Sequence, residues 1–340
     1  MFHFSPRNAL LPAAALAIML GLTACGGGGS GPAPADATAT ATTTTTATTT
    51  PPVTTPPVTT PPVTAALPTK ALGLTDQRAS ATPNTARLVG FDIAAPNTLT
   101  SDVPITTAAG VGAAAFAANE WIYGMDYRSA DGLLWGLTNR GRLYTIDPTS
   151  GVATFKLALI ADPATPGFTA LDASTSVSVD FNPVADRMRV VTFVGQNLRI
   201  NVATGATIED TPVPQVAATG FGWVVGAAYT NSFAGATATT LFTINNNRDD
   251  LATQNPPNSG TQVTVGPLGV AISEVQGMDI AGSTNQLALA ALSPDGAVGP
   301  HALYNINLIS GVATLRGASL AASQIGGATG RPLVDIAIRP

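Results

Sequence analysis

A short segment with the pattern of a β-hairpin occurs twice in this chain, as LYTIDPTSGVAT at residues 143–154 and as LYNINLISGVAT at residues 303–314. Three further segments, beginning at Leu88, Leu198 and Leu241, fit the same pattern of an alternating strand, a turn and a second strand. The five copies are spaced roughly 45 to 60 residues apart, a period typical of propellers and solenoids. Asp-Pro-Thr-Ser-Gly and Ala-Thr-Gly supply tight-turn chemistry between the paired strands.

A second motif precedes several of these hairpins. It reads YGMDYRS from Tyr123, VSVDFNP from Val177 and QGMDIAG from Gln276, and another strand-like segment follows each copy. Each unit therefore has about four strands, which is the size of a propeller blade. We predict an all-β fold of the β-propeller type.

The two ends of this region complement each other. The first hairpin lacks the strand with the aspartate motif, whereas the chain ends in LVDIAIRP, a solitary copy of that strand. We expect residues 334–338 to form the innermost strand of the blade that begins at Ala71, which would close the ring and remove free sheet edges. The count is five blades. The copy at Leu241 is the weakest, and a count of six stays open.

The N-terminus has the features of a lipoprotein signal peptide over residues 1–24. Arg7 is followed by an apolar, uncharged stretch that is short for a membrane span, and the segment ends in Leu22-Thr23-Ala24-Cys25. Cys25, the only cysteine, is the predicted lipidation site; the alternative is an ordinary secretory signal with an incidental cysteine. Residues 25–69 are rich in Gly, Thr and Pro and are predicted to be a disordered tether.

Residues 70–340 are left for the propeller domain. The formal net charge is −5 and no Lys/Arg cluster occurs, so nucleic acid is an unfavourable partner. The expected partners are a lipid bilayer, through acylated Cys25, and an unidentified small-molecule, glycan or protein ligand. No cofactor and no metal is expected. The predicted location is the cell envelope, with the outer membrane favoured because Gly26, not Asp, follows Cys25.

Several phrases of the chain resemble the bacterial domain-of-unknown-function 4394 family. They are IYGMDYR, GRLYTIDPTSG, VDFNPVADRMRVV, GQNLRIN, GAAYTN and QNPPNSGTQVTVGPLG, and they span nearly all of residues 70–340. The resemblance implies an extracytoplasmic, propeller-like domain. It implies no activity.

The aspartate motif is the sharpest candidate site. Asp126, Asp180, Asp279 and Asp335 occupy equivalent positions of the repeat, and Ala228 takes the fifth. Equivalent residues on inner strands face the same way, so these carboxylates could ring a central channel and raise each other's pKa or bind a cation. Arg128 and Arg339 could offset their charge. The alternative, which we favour, is that each Asp bonds the backbone of a neighbouring blade.

Further candidate ligand-binding residues are polar. Asn182, Arg189 and Asn197 lie in NPVADRMR and GQNLR, where amide and guanidinium groups could bind sugar hydroxyls or carboxylates. The favoured alternative there is an ion pair of Asp186 with an arginine plus an Asn turn. Asn231, at the end of AYTN, completes the candidate set.

Three other features are interpreted as structural. The segment from Asn245 to Asp250 has some spacing of a calcium loop but lacks its Gly and Glu, which favours a long polar loop. His301 is expected in an exposed loop. The aromatic residues could stack on sugars but are expected mainly in the core; they are Trp121, Trp135, Trp223, Tyr123, Tyr229 and Tyr304.

No serine, cysteine or histidine set typical of hydrolases occurs in the sequence, so binding is favoured over catalysis. Two alternatives stay open. One is an enzyme that acts on extracellular glycans through carboxylates at the channel mouth, and the other is a purely structural envelope protein.

Overall fold

The computed structural model describes residues 66–77, 86–108, 115–172, 174–215, 223–272, 277–282, 285, 287–293 and 299–339. The predicted signal peptide, the lipidation site Cys25 and the tether up to residue 65 lie outside these residues. Among the residues described, no helix combines the length and apolar character that a membrane span requires.

Within the described residues, twenty-two strands, numbered β1–β22 in chain order, form five sheets, named blades 1 to 5, and the four main strands of each blade pair antiparallel. From the innermost strand outwards, blade 1 contains β22 (Leu333–Ala337), β1 (Lys70–Thr75), β2 (Arg87–Asp92) and β3 (Ala95–Pro104). In the same order, blade 2 contains β5 (Ile122–Tyr127), β6 (Leu134–Thr138), β7 (Arg142–Ile146) and β8 (Val152–Ala158).

The other three blades repeat this order. Blade 3 contains β10 (Val177–Asn182), β11 (Arg187–Thr192), β12 (Asn197–Ile200) and β13 (Ala206–Glu209). Blade 4 contains β14 (Val224–Tyr229), β15 (Leu241–Asn245), β16 (Asp250–Gln254) and β17 (Gln262–Pro267). Blade 5 contains β18 (Gly277–Ala281), β19 (Leu287–Leu292), β20 (Ala302–Ile306) and β21 (Ala313–Leu315).

The predicted ring closure is confirmed. The last strand, β22, pairs antiparallel with β1, with Gly73 opposite Ile336 and Leu74 opposite Asp335. The inner strands contact one another in the order β22, β5, β10, β14, β18 and back to β22. The domain is therefore a five-bladed β-propeller, and β14 around Ala228 is the inner strand of the weak fourth copy.

Two short strands extend the outer edge of a blade with chain from the blade before it. β4 (Thr106–Thr107) follows blade 1 and pairs parallel with β8, and β9 (Ile160–Ala161) follows blade 2 and pairs parallel with β13. Each pairs with the first two residues of the outermost strand of the next blade, so part of that edge is covered.

The repeated hairpin turn explains why the sequence repeats. In blade 2, Asp147 Oδ1 accepts hydrogen bonds from the backbone N–H groups of Thr149 and Ser150, and Asn307 does the same for residues 309 and 310 in blade 5. Gly151 and Gly311 then adopt φ angles of 72° and 83°. A Cβ at either glycine would lie 2.3 Å from a backbone carbonyl oxygen of the preceding blade, so the turn also sets the spacing between blades.

The hydrophobic core lies between adjacent blades, in clusters that each combine residues of two neighbours. Among the described residues, the smallest cluster joins blades 3 and 4; it contains Val191, Val213, Val224, Ala227, Tyr229 and Leu241. Hydrogen bonds between buried polar side chains supplement this seam, as described below.

Among the residues described, helical structure is limited to short segments, one between β16 and β17 of blade 4 and two between β21 and β22. They are the 3-10 turns Pro257–Ser259 and Gly327–Thr329 and the helix α1 (Leu320–Ser323).

The expectation for His301 is wrong. Its side chain is 2% exposed, and its Nδ1 accepts a hydrogen bond of 3.1 Å from the backbone N–H of Leu333. The imidazole thus fixes the start of the closing strand β22, a contact across 32 residues that the local sequence does not signal.

Candidate functional site

The four motif aspartates lie on four of the five inner strands. Asp126, Asp180, Asp279 and Asp335 are each at most 7% exposed. In blade 4 the equivalent position is Ala228, which is fully buried. Period-two alternation along the inner strands thus brings the carboxylates together near the axis, as the repeat predicted.

Each carboxylate accepts a hydrogen bond from the backbone of the next blade. The donors are the N–H groups of Met125 for Asp335 (2.9 Å), Phe181 for Asp126 (2.8 Å), Tyr229 for Asp180 (3.1 Å) and Ile338 for Asp279 (2.5 Å). The favoured interpretation, in which each Asp bonds a neighbouring blade, is confirmed. These contacts link blade 5 to 1, 1 to 2, 2 to 3 and 3 to 4.

The carboxylates are also close to one another. One oxygen each of Asp126, Asp180 and Asp279 lies within 4.8 Å of the others. Burial raises the pKa of Asp279 to about 7. Burial and then the charge of Asp279 raise the pKa of Asp126 well above its usual range, and burial with the charges of Asp126 and Asp279 does the same for Asp180. Burial is also the main cause of the raised pKa of Asp335.

Two chemistries suit this cluster. Carboxyls with raised pKa values keep their protons to a higher pH than exposed carboxyls do. Three carboxylate oxygens at this spacing are also ligands of the type that hard divalent cations take. The hydrogen bonds to the backbone identify the first role of the cluster as structural. Whether it also binds a ligand, as the sequence analysis predicted, stays a prediction.

Arg128 lies at a different contact. Its guanidinium donates to both carboxylate oxygens of Asp186, at 2.8 and 2.5 Å, and to Asp131 at 2.7 Å. Asn182 caps the adjacent turn by accepting from the N–H groups of Val184 and Ala185. The predicted ion pair of Asp186 is therefore present, with Arg128 of blade 2 as its partner. Because Arg128 is paired with Asp186 and Asp131, it does not offset the charge of the four motif aspartates.

Arg189 is the centre of a buried polar network and is 2% exposed. Its guanidinium donates to Asn197 Oδ1 at 2.8 Å, Asp210 Oδ2 at 2.8 Å, Asn258 Oδ1 at 2.7 Å and Tyr229 Oη at 3.2 Å. Asp210 also accepts two hydrogen bonds from Arg199. Four side chains thus satisfy one buried cation, which is the condition for tolerating its burial.

The same network joins two motifs that are distant in sequence. Asn197 Nδ2 donates to the backbone carbonyl of Pro257 at 2.9 Å, and Gln254 Nε2 donates to that carbonyl at 2.6 Å. GQNLR of blade 3 and QNPPN of blade 4 therefore form one contact between blades. The sequence showed both phrases but carried no signal that they meet.

Asn231 has a left-handed backbone, with φ of 59°, in the loop after β14. Its N–H donates to Asn285 Oδ1 at 2.7 Å, and Asn285 Nδ2 returns a hydrogen bond of 2.8 Å to Asn231 Oδ1. This reciprocal amide pair ties a loop of blade 4 to a loop of blade 5. Asn285, which sequence reasoning missed, stands outside every repeat phrase.

The segment from Asn245 to Asp250 forms the turn between β15 and β16 rather than a long loop. Asp249 Oδ1 accepts from the N–H of Ile272, while Asp250 Oδ2 accepts from Arg248 and Thr264. The carboxylates of Asp249 and Asp250 thus stabilise the turn and the edge of the sheet through these hydrogen bonds. Among the aromatic residues, Trp135, Tyr123, Tyr229 and Tyr304 are buried as expected, whereas Trp121 and Trp223 are half-buried.

Two cavities lie at opposite ends of the inner strands. The larger, which we call the blade 2 pocket, has a volume of about 410 Å³ beside the end of β5; residues that line it include Tyr127, Leu133, Thr145, Asp147, Val152 and Arg339. The smaller, which we call the entry pocket, adjoins the starts of β5, β10 and β22 and is lined in part by Asp76, Gln77, Trp121, Tyr123, Thr175 and Ser176.

The blade 2 pocket contains residues that sequence reasoning did not select as ligand-binding. Arg339 is exposed, and its guanidinium makes no hydrogen bond or ion pair within the part of the chain that the structure describes. Burial raises the pKa of Tyr127, and the nearby charge of Arg339 opposes that shift. The available signal was positional, since Arg339 lies two residues after the end of the closing strand β22.

The buried motif aspartates make the stability of the fold depend on pH. Because burial raises the pKa of Asp279 from 3.8 to about 7, the folded state keeps a proton there that the unfolded chain loses. Stability from this group is complete below about pH 4 and is lost as the pH rises towards 7. We expect the thermal midpoint of the wild type to fall between pH 5 and pH 8, and to fall less in Asp279→Asn.

The matched control is Asp147→Asn, since two backbone N–H groups and Ser150 lower the pKa of the exposed Asp147 carboxyl. This variant should keep the full decrease between pH 5 and pH 8. Equal decreases in wild type and Asp279→Asn, measured by circular dichroism, would contradict the pKa assignment.

Comparison with known proteins places this geometry in a family. A family model described as "Domain of unknown function (DUF4394)" matches residues 87–337, and a search of curated proteins found no match. Among solved structures, a Bacteroides thetaiotaomicron VPI-5482 structural genomics protein of unknown function is similar with a TM-score of 0.38 and 11% identity over 73% of this chain and 64% of that chain. A Bacteroides ovatus ATCC 8483 auxiliary nutrient binding protein is similar with a TM-score of 0.34 and 11% identity over 61% of this chain and 53% of that chain. This chain therefore spans less than two thirds of both structures. The model match covers most of the chain, which therefore belongs to the family of domain of unknown function 4394.

Proposed function

We propose that this protein is a lipid-anchored propeller of the cell envelope that binds a small organic anion in the blade 2 pocket. The observation that carries the proposal is the exposed Arg339 guanidinium, which has no partner among the described residues and lines a cavity of about 410 Å³. A cavity of this size suits a small molecule, and a few convergent polar groups on apolar walls are typical of ligand sites.

The pocket offers complementary chemistry for a carboxylate with an apolar body. Arg339 can donate two parallel hydrogen bonds to a carboxylate, and the hydroxyl of Tyr127 lies near that charge. Leu133, which is 46% exposed, and Val152 provide apolar surface on the same cavity. Thr145 contributes a further hydroxyl. Among the described residues that line the pocket, Arg339 and Asp147 carry opposite charges. An anion is favoured at Arg339, because Asp147 already accepts hydrogen bonds from the backbone N–H groups of Thr149 and Ser150.

Burial of the four motif aspartates favours a ligand-binding function over glycan hydrolysis. A glycosidase needs two carboxyl groups that reach the sugar from opposite sides of the scissile bond. Asp126, Asp180, Asp279 and Asp335 are at most 7% exposed, and each accepts a backbone hydrogen bond from the next blade.

The anchor rests on Leu22-Thr23-Ala24-Cys25 and the tether that follows. Because acyl chains on Cys25 would hold the protein at a bilayer, Cys25→Ala should move it from the membrane fraction to the soluble fraction and abolish labelling by radioactive palmitate. The matched control is Ser30→Ala, in the same tether. A Cys25→Ala protein that stays labelled and in the membrane would refute the anchor.

The ligand proposal is tested by calorimetric titration of the full-length protein with benzoate, octanoate and succinate. At least one of these anions should bind, and Arg339→Gln should weaken that binding about 10- to 100-fold, since hydrogen bonds to a charged group contribute about 1.5–3 kcal/mol. Arg331→Gln is the control, because Arg331 is an exposed arginine that lines a different cavity. Absence of binding by all three anions, or equal affinity in wild type and Arg339→Gln, would contradict the proposal.

A further inference from the structure

The entry pocket lies at the other end of the inner strands and has a different character. Ile122 and Val177 begin β5 and β10 there, and Val334 is the second residue of β22. The enclosed volume is about 10 Å³, about the size that one water-sized group occupies. The cavity therefore admits one small polar group of a ligand, while the remainder of that ligand stays at the rim.

Two residues that line this pocket each carry a buried polar side-chain atom that lacks a partner among the described residues. These atoms are the indole Nε1 of Trp121 and the side-chain Oε1 of Gln77. The first is solely a donor and the second solely an acceptor. Leaving such groups unsatisfied destabilises the structure, so the pair favours an occupant that serves both.

A hydroxyl group is the simplest occupant with that property. The hydroxyl oxygen accepts a hydrogen bond from the indole Nε1–H of Trp121, and the hydroxyl proton is donated to Gln77 Oε1. Asn139 makes two hydrogen bonds to the backbone of Trp121, each of 3.0 Å. Its Oδ1 accepts from the backbone N–H of Trp121, and its backbone N–H donates to the carbonyl of Trp121. The main chain from which the indole projects is thus held in place before a ligand arrives.

The rim of the pocket suits the body of a hydroxylated molecule. The half-buried Trp121 packs edge-on against Tyr123, with ring centroids 6.2 Å apart at 83°. Thr175 and Ser176, in the segment that leads into β10, add two hydroxyl groups to the lining. Asp76 is the one charged residue among the described residues of the lining, and its carboxylate disfavours an anion.

We propose that the entry pocket is a binding site for a neutral, hydroxyl-rich ligand such as a sugar or polyol, with one ligand hydroxyl between Trp121 Nε1 and Gln77 Oε1. This site is separate from the blade 2 pocket, which takes an anion beside Arg339. The two proposals stand on different residues at opposite ends of the inner strands, and either one can fail without the other.

The test uses nuclear magnetic resonance of the indole N–H groups in the ¹⁵N-labelled full-length protein. The chain has three tryptophans, so three indole signals are expected, and the Trp121 signal is identified by its loss in Trp121→Phe. The probes are glucose, N-acetylglucosamine and glycerol, each added alone. At least one should shift the Trp121 signal saturably and leave the signals of Trp135 and Trp223 in place.

Gln77→Met removes the acceptor while keeping the side-chain length, and it should weaken that binding about tenfold. Trp135→Phe is the matched control, because the Trp135 indole N–H points to Asp131 at 3.4 Å and lies outside the pocket lining; its affinity should equal that of the wild type. Unchanged signals of Trp135 and Trp223 in Trp121→Phe and in Gln77→Met confirm that these variants fold.

Two results would overturn the proposal. The first is that none of the three probes shifts the Trp121 signal saturably, which would leave water as the sole occupant of the cavity. The second is that Gln77→Met binds the probe as tightly as the wild type does.

Discussion

The close approach of the five inner strands is the constraint on which the rest of this structure depends. Carboxylates on four of these strands reach the backbone N–H groups of the next blade at 2.5–3.1 Å. The same closeness removes water from the carboxylates and raises their pKa values. Repulsion between the carboxylates is relieved by protonation, so the cohesion of the ring and its sensitivity to pH have one origin.

Blade 4 departs from the repeat and is held differently. Its inner strand carries Ala228 where the other blades carry Asp, and the turn after β15 lacks the glycine of the repeated hairpin. The apolar cluster that it shares with blade 3 is also small. The network around Arg189 supplies hydrogen bonds at that seam, which explains why the chain keeps a buried cation there.

The sequence predicted the architecture because the architecture is periodic. The aspartate strands and hairpins recur at a blade-length spacing, and the unmatched strand at the C-terminus required a partner at the N-terminus. It could not predict contacts that occur once. Asn197 meets Pro257, Asn231 meets Asn285, and His301 holds Leu333, and in each case two segments far apart in the chain meet because neighbouring blades pack together. Both proposed ligand sites depend on such meetings, since Gln77 and Trp121 are far apart in the chain, as are Tyr127 and Arg339.

The most direct test of the account is the unfolding free energy of Gly277→Ala in urea. A Cβ at Gly277, on inner strand β18, would lie 2.6 Å from the Cα of Asp335 and from the backbone nitrogen of Ile336 on β22. Backbone cannot yield as a flexible side chain does, so we expect destabilisation by about 1–3 kcal/mol. Gly167→Ala, where a new Cβ meets no atom within 4 Å, should leave stability nearly unchanged. If the two variants were equally stable, the inner strands would not be packed as described, and the account of the ring would be contradicted.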